Sequence, residues 1–143
     1  MTTQETKTIT VSTQVNANAT QVWKFWTSSE HIIKWNSPSP DWHSPCAEHD
    51  FKQGGKFNIR MEAKDGSLGF DFQGVYNIIS LNKYIEYTIE DGRKVKITFE
   101  EVDGKTFITE NFEAETTNSL EVQQGGWQAI LDSFKRYVES KNK

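Results

Sequence analysis

Cysteine is the scarcest residue type in this sequence, with Cys46 the only one among 143 residues. A single cysteine excludes an internal disulfide and fits a reducing compartment. No run approaches the ~18 consecutive apolar residues that would cross a bilayer. The first dozen residues are polar and lack the apolar core of a secretion signal. We therefore expect a cytoplasmic protein that does not insert into membranes.

Basic residues are also fewer than acidic ones. Lysine and arginine together number 16, against 20 aspartate and glutamate residues, and the formal net charge is −4. Proteins that bind nucleic acid present basic patches or stripes to the phosphate backbone. The charge balance therefore argues against a nucleic-acid partner.

Aromatic side chains, by contrast, are abundant and make up 13% of the residues. Large rigid rings fill protein cores, and they also line apolar cavities. The chain has the usual length of one domain, and nothing in it resembles a linker. We expect a single domain over residues 1–143.

The first part of the chain predicts a strand followed by two short helices. Residues 8–15 alternate apolar with polar side chains and are rich in β-branched residues, as in a strand with one buried face. Asn18 and Gln21 have the spacing of a capping box at a helix start. A second helix is expected to begin at Ser28 or the next residue. It ends before residues 37–40, because their two prolines cannot continue it.

From about residue 48 the pattern predicts an antiparallel meander. Alternating runs are joined by turns near Gly66, Asn82, Gly92 and Gly104, and no helix separates them. Gly74 interrupts the longest run, where we expect a bulge or a sharp bend. The side chains that alternate along that run are Leu68, Phe70, Phe72, Tyr76 and Ile78.

The last segment predicts one long amphipathic helix over Gly126–Ser140, packed on a sheet of about six strands. Its apolar residues follow helical spacing. Glycine costs a helix ~1 kcal/mol relative to alanine, so Gly125 and Gly126 are expected to mark the helix start or a kink. The apolar stripe consists of Trp127, Ile130, Leu131, Phe134 and Val138.

Six motifs occur in order between about residues 7 and 140. They are Ala19-Thr-Gln-Val-Trp23, Trp35, Cys46-x-x-x-Asp50-x-x-x-Gly54-Gly55-Lys-Phe57, Gly74-Val-Tyr76, Gly104-Lys-Thr106 and Gly126-Trp127-x-x-Ile130-Leu131. Together they resemble the Hsp90 ATPase activator homologue family, within the START-like (SRPBCC) group. The resemblance implies an α+β helix-grip fold, in which a curved antiparallel sheet surrounds a long C-terminal helix and two short helices close one end.

The resemblance leaves several functions open. In eukaryotic activators a separate N-terminal domain makes much of the chaperone contact, and this sequence does not include it, so we expect weak or no stimulation of Hsp90. Single-domain relatives resemble binders of small apolar ligands or are proteins with no known role. The wider group also includes cyclases and hydroxylase subunits, since a fold does not fix a function. The alternatives are therefore a ligand-binding protein, an Hsp90 co-chaperone or stress-response protein, and a cyclase-type or hydrolase-type enzyme.

A group of potential metal ligands lies between the second helix and the meander. His43, Cys46 and His49 are flanked by Asp41 and Asp50, and imidazole and thiolate are good zinc ligands. Their spacing is not that of a common zinc knuckle. We expect no metal and no cofactor.

Two other residues have alternative interpretations. His31 is either a surface residue of the second helix or a general base near a cavity. Glu110 shares a strand face with apolar residues, so it is paired with a base such as Arg60 or Arg93, lies at the sheet rim, or points into a cavity.

We predict that a cavity between the sheet and the C-terminal helix binds a small apolar or aromatic molecule. Glu110 and Tyr87 are the polar groups expected to orient it. The predicted site consists of Phe57, Ile59, Phe70, Phe72, Tyr76, Tyr87, Phe99, Ile108, Glu110, Trp127, Ile130 and Phe134.

Overall fold

The computed structural model describes residues 7–141, which form eight strands and three helices. In chain order the elements are β1 (Thr8–Val15), α1 (Ala19–Thr27), α2 (Ser29–Trp35), β2 (Trp42–His43), β3 (Ala47–His49), β4 (Lys56–Ala63), β5 (Gly69–Ser80), β6 (Tyr84–Ile89), β7 (Lys94–Val102), β8 (Lys105–Glu113) and α3 (Leu120–Lys141).

All the strands pair antiparallel in one curled sheet. Its order is β1-β8-β7-β6-β5-β4-β2, and β3 also pairs with β4. The sheet curls around α3, which confirms the predicted α+β helix-grip fold. Six of the strands are long, as predicted. The two that were not foreseen span two and three residues, too few for an alternating pattern to show.

The core lies between the concave face of the sheet and α3. Buried side chains of β7 and β8 belong to one hydrophobic cluster with Leu131, Phe134 and Val138 of the helix. These helix residues belong to the predicted apolar stripe, so the direction of that stripe is confirmed. Within residues 7–141, no helix combines the length and apolar character needed to span a membrane.

Polar side chains of α3 bind the backbone of β1, at the edge of the sheet. Gln124, Gln128 and Lys135 each donate a hydrogen bond to a β1 carbonyl, at 3.3, 3.1 and 2.5 Å. Glu139 accepts a hydrogen bond from the backbone N–H of Asn16 at 2.9 Å. Strand β1 is therefore held by β8 on one side and by the helix on the other.

The caps define where the helices begin. The Asn18 side chain accepts a hydrogen bond from the Gln21 N–H at 2.8 Å, which confirms the predicted start of α1. Helix α3 begins at Leu120, so the predicted start at residue 126 is wrong. The Ser119 hydroxyl caps the helix by accepting from the Val122 N–H at 3.1 Å. The prediction placed the start at Gly126 because glycine is unfavourable inside a helix, whereas Gly125 and Gly126 lie within α3. The first turn gives no sign of a buried face, since Val122 is 63% exposed.

The bulge in β5 lies after Gly74, not at it. The register with β6 shifts between Tyr76 and Ile78, which leaves Ile78 43% exposed while Ile79 packs against the core. The expectation that Ile78 shares a face with Tyr76 is therefore wrong, because one extra residue reverses the alternation. Gly74 has a different role. A Cβ atom there would lie 2.9 Å from the Phe57 ring and would also collide with the Thr88 carbonyl oxygen.

We expect Gly74→Ala to lower the free energy of unfolding by about 1–3 kcal/mol, because the added methyl group overpacks a site bounded by backbone. Gly125→Ala is the matched control, since among residues 7–141, apart from its two neighbours and the surrounding helix backbone, no atom lies within 4 Å of a Cβ there. It should raise the free energy of unfolding by about 0.5–1 kcal/mol, as alanine favours the helix. Urea unfolding of both variants checks this. Equal effects at the two positions would show that Phe57 and Thr88 move to accommodate the added methyl group without a loss of stability.

Candidate functional site

A cavity of about 360 Å³ lies between the sheet, the two short helices and α3. Most of its lining is apolar: Trp26, Ile32, Trp35, Phe51, Phe57, Ile59, Met61, Phe70, Phe72, Tyr76, Ile85, Tyr87, Trp127 and Ile130. The polar lining is smaller: Thr27, Asn36, Arg93, Glu110, Glu115, Asn118 and Gln123. An apolar cavity with a few polar groups has the usual composition of a small-molecule site.

The structure brings most of the predicted site residues together. Nine of the twelve line the cavity: Phe57, Ile59, Phe70, Phe72, Tyr76, Tyr87, Glu110, Trp127 and Ile130. Phe99, Ile108 and Phe134 do not line it and are buried among other core side chains. Phe70 reaches the cavity although it is 48% exposed. Contact of any of these residues with a ligand stays a prediction.

Several lining residues were missed from the sequence. Trp26 and Trp35 come from the two short helices, and their ring centroids are 4.9 Å apart. Met61 lies two residues after Ile59 on the same face of β4, so the alternation along this strand predicts that it faces the cavity. Glu115, Asn118 and Gln123 belong to the β8–α3 connection and its following turn, where no periodic pattern exists to indicate a direction.

Rings from three adjacent strands build the aromatic wall. The Phe57 ring centroid lies 5.1 Å from that of Tyr76 and 4.9 Å from that of Tyr87. Strand register explains this, since Phe57 pairs with Gly74, two residues before Tyr76, and Tyr76 pairs with Tyr87. On the helix side, Trp127 stacks on Phe112 with centroids 4.0 Å apart. These contacts fix the rings, so the wall is preorganised.

Glu110 is the acidic group of the cavity wall. It lies on β8, is only 5% exposed, and forms no hydrogen bond or ion pair with any residue in 7–141. Burial raises its pKa from 4.5 to about 8, because the charged form loses its hydration. Of the alternatives considered for Glu110, pairing with Arg60 or Arg93 is wrong. Arg60 binds Glu62 and Asp71, and Arg93 binds Asp91 at 2.8 Å.

Two tyrosine hydroxyls also belong to the wall, in different surroundings. Tyr76 Oη and His49 Nδ1 are hydrogen-bonded at 2.8 Å, and burial lowers the pKa of His49 from 6.5. Tyr87 is buried, and its hydroxyl has no hydrogen-bond partner within residues 7–141. Burial and the nearby Glu110 carboxyl raise the pKa of Tyr87 well above 10.0. Burial also raises the pKa of Tyr76 above 10.0, so both phenols keep their protons near neutral pH.

Gln123 holds the polar end of the lining in place. Its side-chain nitrogen donates to the carbonyls of Glu115 and Asn118 at 3.1 and 2.9 Å. Its side-chain oxygen accepts from the Glu115 N–H at 2.9 Å. One buried amide thus ties the β8–α3 connection to the first turn of the helix.

The candidate metal ligands do not converge. His43 faces Glu62 at 3.6 Å, His49 binds Tyr76, and Cys46 is exposed. In the part of the chain that the structure describes, no group of three His, Cys, Asp or Glu side chains is placed to hold a metal ion. His31 also lies outside the cavity lining, where its Nδ1 is 2.7 Å from the Tyr137 hydroxyl.

Several solved structures share this architecture. An AHSA1-like protein of Aeromonas hydrophila is 38% identical over 94% of each chain, with a TM-score of 0.85. A Cytophaga hutchinsonii protein is 53% identical over 93% of this chain and 92% of its own, with a TM-score of 0.80. A Nitrosomonas europaea protein shares the fold at 17% identity, 94% and 96% coverage and a TM-score of 0.81.

A family model agrees with these similarities. The model described as "Activator of Hsp90 ATPase homolog 1-like protein" matches residues 16–139. No curated protein sequence matches the chain. The matched range runs from the end of β1 to the last turn of α3, so it includes every residue of the cavity lining. The chain belongs to the family of Activator of Hsp90 ATPase homolog 1-like proteins.

Proposed function

We propose that this protein binds a small, mainly apolar molecule in the cavity between the sheet and α3. The observation that carries the proposal is the cavity itself, about 360 Å³ of space walled by aromatic and aliphatic side chains. Small-molecule sites usually measure roughly 300–1,000 Å³ and bury most of the ligand. Closely packed cores leave few voids larger than a water molecule, so a space of this size is unusual in a core and supports a binding role.

Rigid walls support the same function. The rings of Phe57, Tyr76 and Tyr87 contact one another, and Trp127 is stacked on Phe112. A ligand that enters such a cavity orders few side chains, so little of its binding free energy is lost to conformational entropy.

We expect apolar compounds to raise the melting temperature. A ligand that binds only the folded state, at a hundredfold excess over its Kd, stabilises the protein by about 2.7 kcal/mol. For a domain of this size that corresponds to roughly 5–10 °C. Thermal-shift measurements with fatty acids and flat aromatic compounds check this prediction.

A variant that fills the cavity provides the control. Ile130→Trp adds bulk to the part of α3 that lines the cavity, and Val122→Trp adds the same residue at an exposed position of the same helix. The first should abolish the thermal shifts while the second preserves them. Ligands that still stabilise Ile130→Trp would show that binding takes place elsewhere. A complete absence of shifts in the unmodified protein would contradict the proposed function.

A second candidate function is contact with Hsp90, and family membership is the observation that favours it. Such a contact would use the outer surface and would not need an open cavity. The Ile130→Trp variant therefore separates the two functions. If the protein changes ATP turnover by Hsp90, and the cavity-filled variant does so equally, the chaperone contact is independent of the cavity.

A further inference from the structure

We infer that Glu110 and Tyr87 act together as a pair of hydrogen-bond donors that selects apolar ligands carrying an accepting oxygen, such as a ketone or ester carbonyl. This inference rests on the proposed function and adds the ligand's polar group to it. It is argued from the position of the two side chains, their lack of partners and the charge of their surroundings.

The sheet brings the two residues to one surface. Tyr87 on β6 pairs with Val95 of β7, and Glu110 on β8 pairs with Ile97 of β7. Val95 and Ile97 are two residues apart and both are buried, so they face the same side of the sheet. Tyr87 and Glu110 therefore project from either side of β7 into the same cavity, and both line it.

Neither group has a hydrogen-bond or ion-pair partner among residues 7–141. Glu110 is 5% exposed and Tyr87 is 8% exposed, and within residues 7–141 nothing accepts a hydrogen bond from either. The third polar group of this wall, the Tyr76 hydroxyl, does have a partner, because it is hydrogen-bonded to His49 at 2.8 Å. Buried polar groups are nearly always hydrogen-bonded. The Glu110 carboxyl and the Tyr87 hydroxyl line the cavity without a partner among residues 7–141, so a ligand in the cavity can supply one.

The surroundings of Glu110 favour donation of a hydrogen bond to the ligand over an ion pair with it. No cation of residues 7–141 lies in ion-pair range, and burial keeps the Glu110 carboxyl protonated near neutral pH. A neutral carboxyl supplies one O–H donor, and a tyrosine supplies another. Two such donors in one cavity suit a carbonyl oxygen, which can accept two hydrogen bonds. A tyrosine and a protonated aspartate bind an oxygen in this way in ketosteroid isomerase.

The remaining charged and titratable lining groups are Tyr76 from β5, Arg93 from the β6–β7 turn and Glu115 after β8. Arg93 is held by Asp91. In the described part of the chain, α1, α2 and α3 contribute only uncharged residues to the lining. A ligand ammonium group would share the cavity with the Arg93 cation and would require Glu110 to ionise first. We therefore favour a neutral acceptor over an amine.

Two matched compounds test the inference by isothermal titration calorimetry. 2-Acetylnaphthalene carries a carbonyl oxygen, and 2-ethylnaphthalene has nearly the same shape without an acceptor. The unmodified protein should bind the ketone about tenfold more tightly, the effect of one to two net hydrogen bonds.

Three variants assign that preference to the two residues. Glu110→Leu removes the donor and should abolish most of the preference, and Tyr87→Phe should reduce it. Glu110→Gln keeps an N–H donor and should retain it. The preference of the unmodified protein should also weaken as pH rises through about 8, where Glu110 loses its proton, whereas Glu110→Gln shows no such change.

Other outcomes would overturn the inference in distinguishable ways. Equal binding of the two naphthalenes would leave ligand binding intact and contradict the donor pair. Tight binding of 2-(2-naphthyl)ethylamine that is lost in Glu110→Gln would show that Glu110 acts as a counter-ion instead. Binding of none of the three compounds would contradict the proposed function as well.

Discussion

Phe134→Ala should lower the free energy of unfolding by about 3–5 kcal/mol. Phe134 is fully buried, and its ring meets those of Trp26 and Trp35 edge-on, with centroids 4.8 Å apart in both cases. The truncation removes apolar contacts from both short helices at once and leaves a void that rigid tryptophans cannot fill. Urea unfolding followed by circular dichroism measures the change.

Phe107→Ala is the matched control for that experiment. Phe107 lies on β8 and is 41% exposed, so the same truncation removes far less buried surface. It should cost less than about 1 kcal/mol. Similar losses for the two variants would show that α3 does not hold its apolar stripe against the sheet and the short helices.

Glu110→Gln should remove a pH-dependent destabilisation of about 3–5 kcal/mol. The folded pKa of Glu110 is raised from 4.5 to about 8 by burial. Below about pH 4.5 the carboxyl is protonated in both the folded and the unfolded chain. Between these pH values only the unfolded chain ionises, so the free energy of unfolding falls as pH rises. Above about pH 8 the full destabilisation is present.

The measurement is the free energy of unfolding of both proteins from pH 5 to pH 9. Other titrating groups are common to the two, so the difference between their profiles isolates Glu110. The free energy of unfolding of Glu110→Gln, relative to that of the unmodified protein, should rise steadily across this range. Glu100→Gln, at an exposed position of β7, should follow the unmodified profile. Parallel profiles for Glu110→Gln would show that Glu110 is not desolvated in solution.

Periodicity accounts for the parts of the fold that the sequence predicts well. Strand alternation and the helical spacing of Leu131, Phe134 and Val138 report which face of an element is buried, and burial drives both patterns. The same reasoning fails where burial is absent. The first turn of α3 exposes Leu120 and Val122, so its sequence does not look amphipathic. The bulge after Tyr76 lies in a run whose local composition does not mark an extra residue.

The cavity itself could be predicted only in part, for a geometric reason. Alternation places Phe57, Ile59, Phe99 and Ile108 on the concave face of the sheet but cannot report how far α3 stands from each strand. Ile108 and Phe99 are buried in the core, whereas Phe57 and Ile59 of β4 line the cavity, so some concave residues are core and others are wall. Glu110 shows the same limit. The sequence shows that Glu110 shares a strand face with apolar residues. Whether it pairs with a base depends on the direction of the Arg93 side chain, which the sequence does not report.

The contacts between α3 and β1 also affect how the sheet meets other molecules. An edge strand normally offers free carbonyls that another chain can use to extend the sheet, which leads to aggregation or strand exchange. On β1 the carbonyls of Thr10, Ser12 and Gln14 are already occupied by side chains of the helix. An incoming strand would have to displace three side chains from α3 before it could pair. Helix α3 thus packs against the core and also protects the β1 edge of the sheet from pairing with another chain.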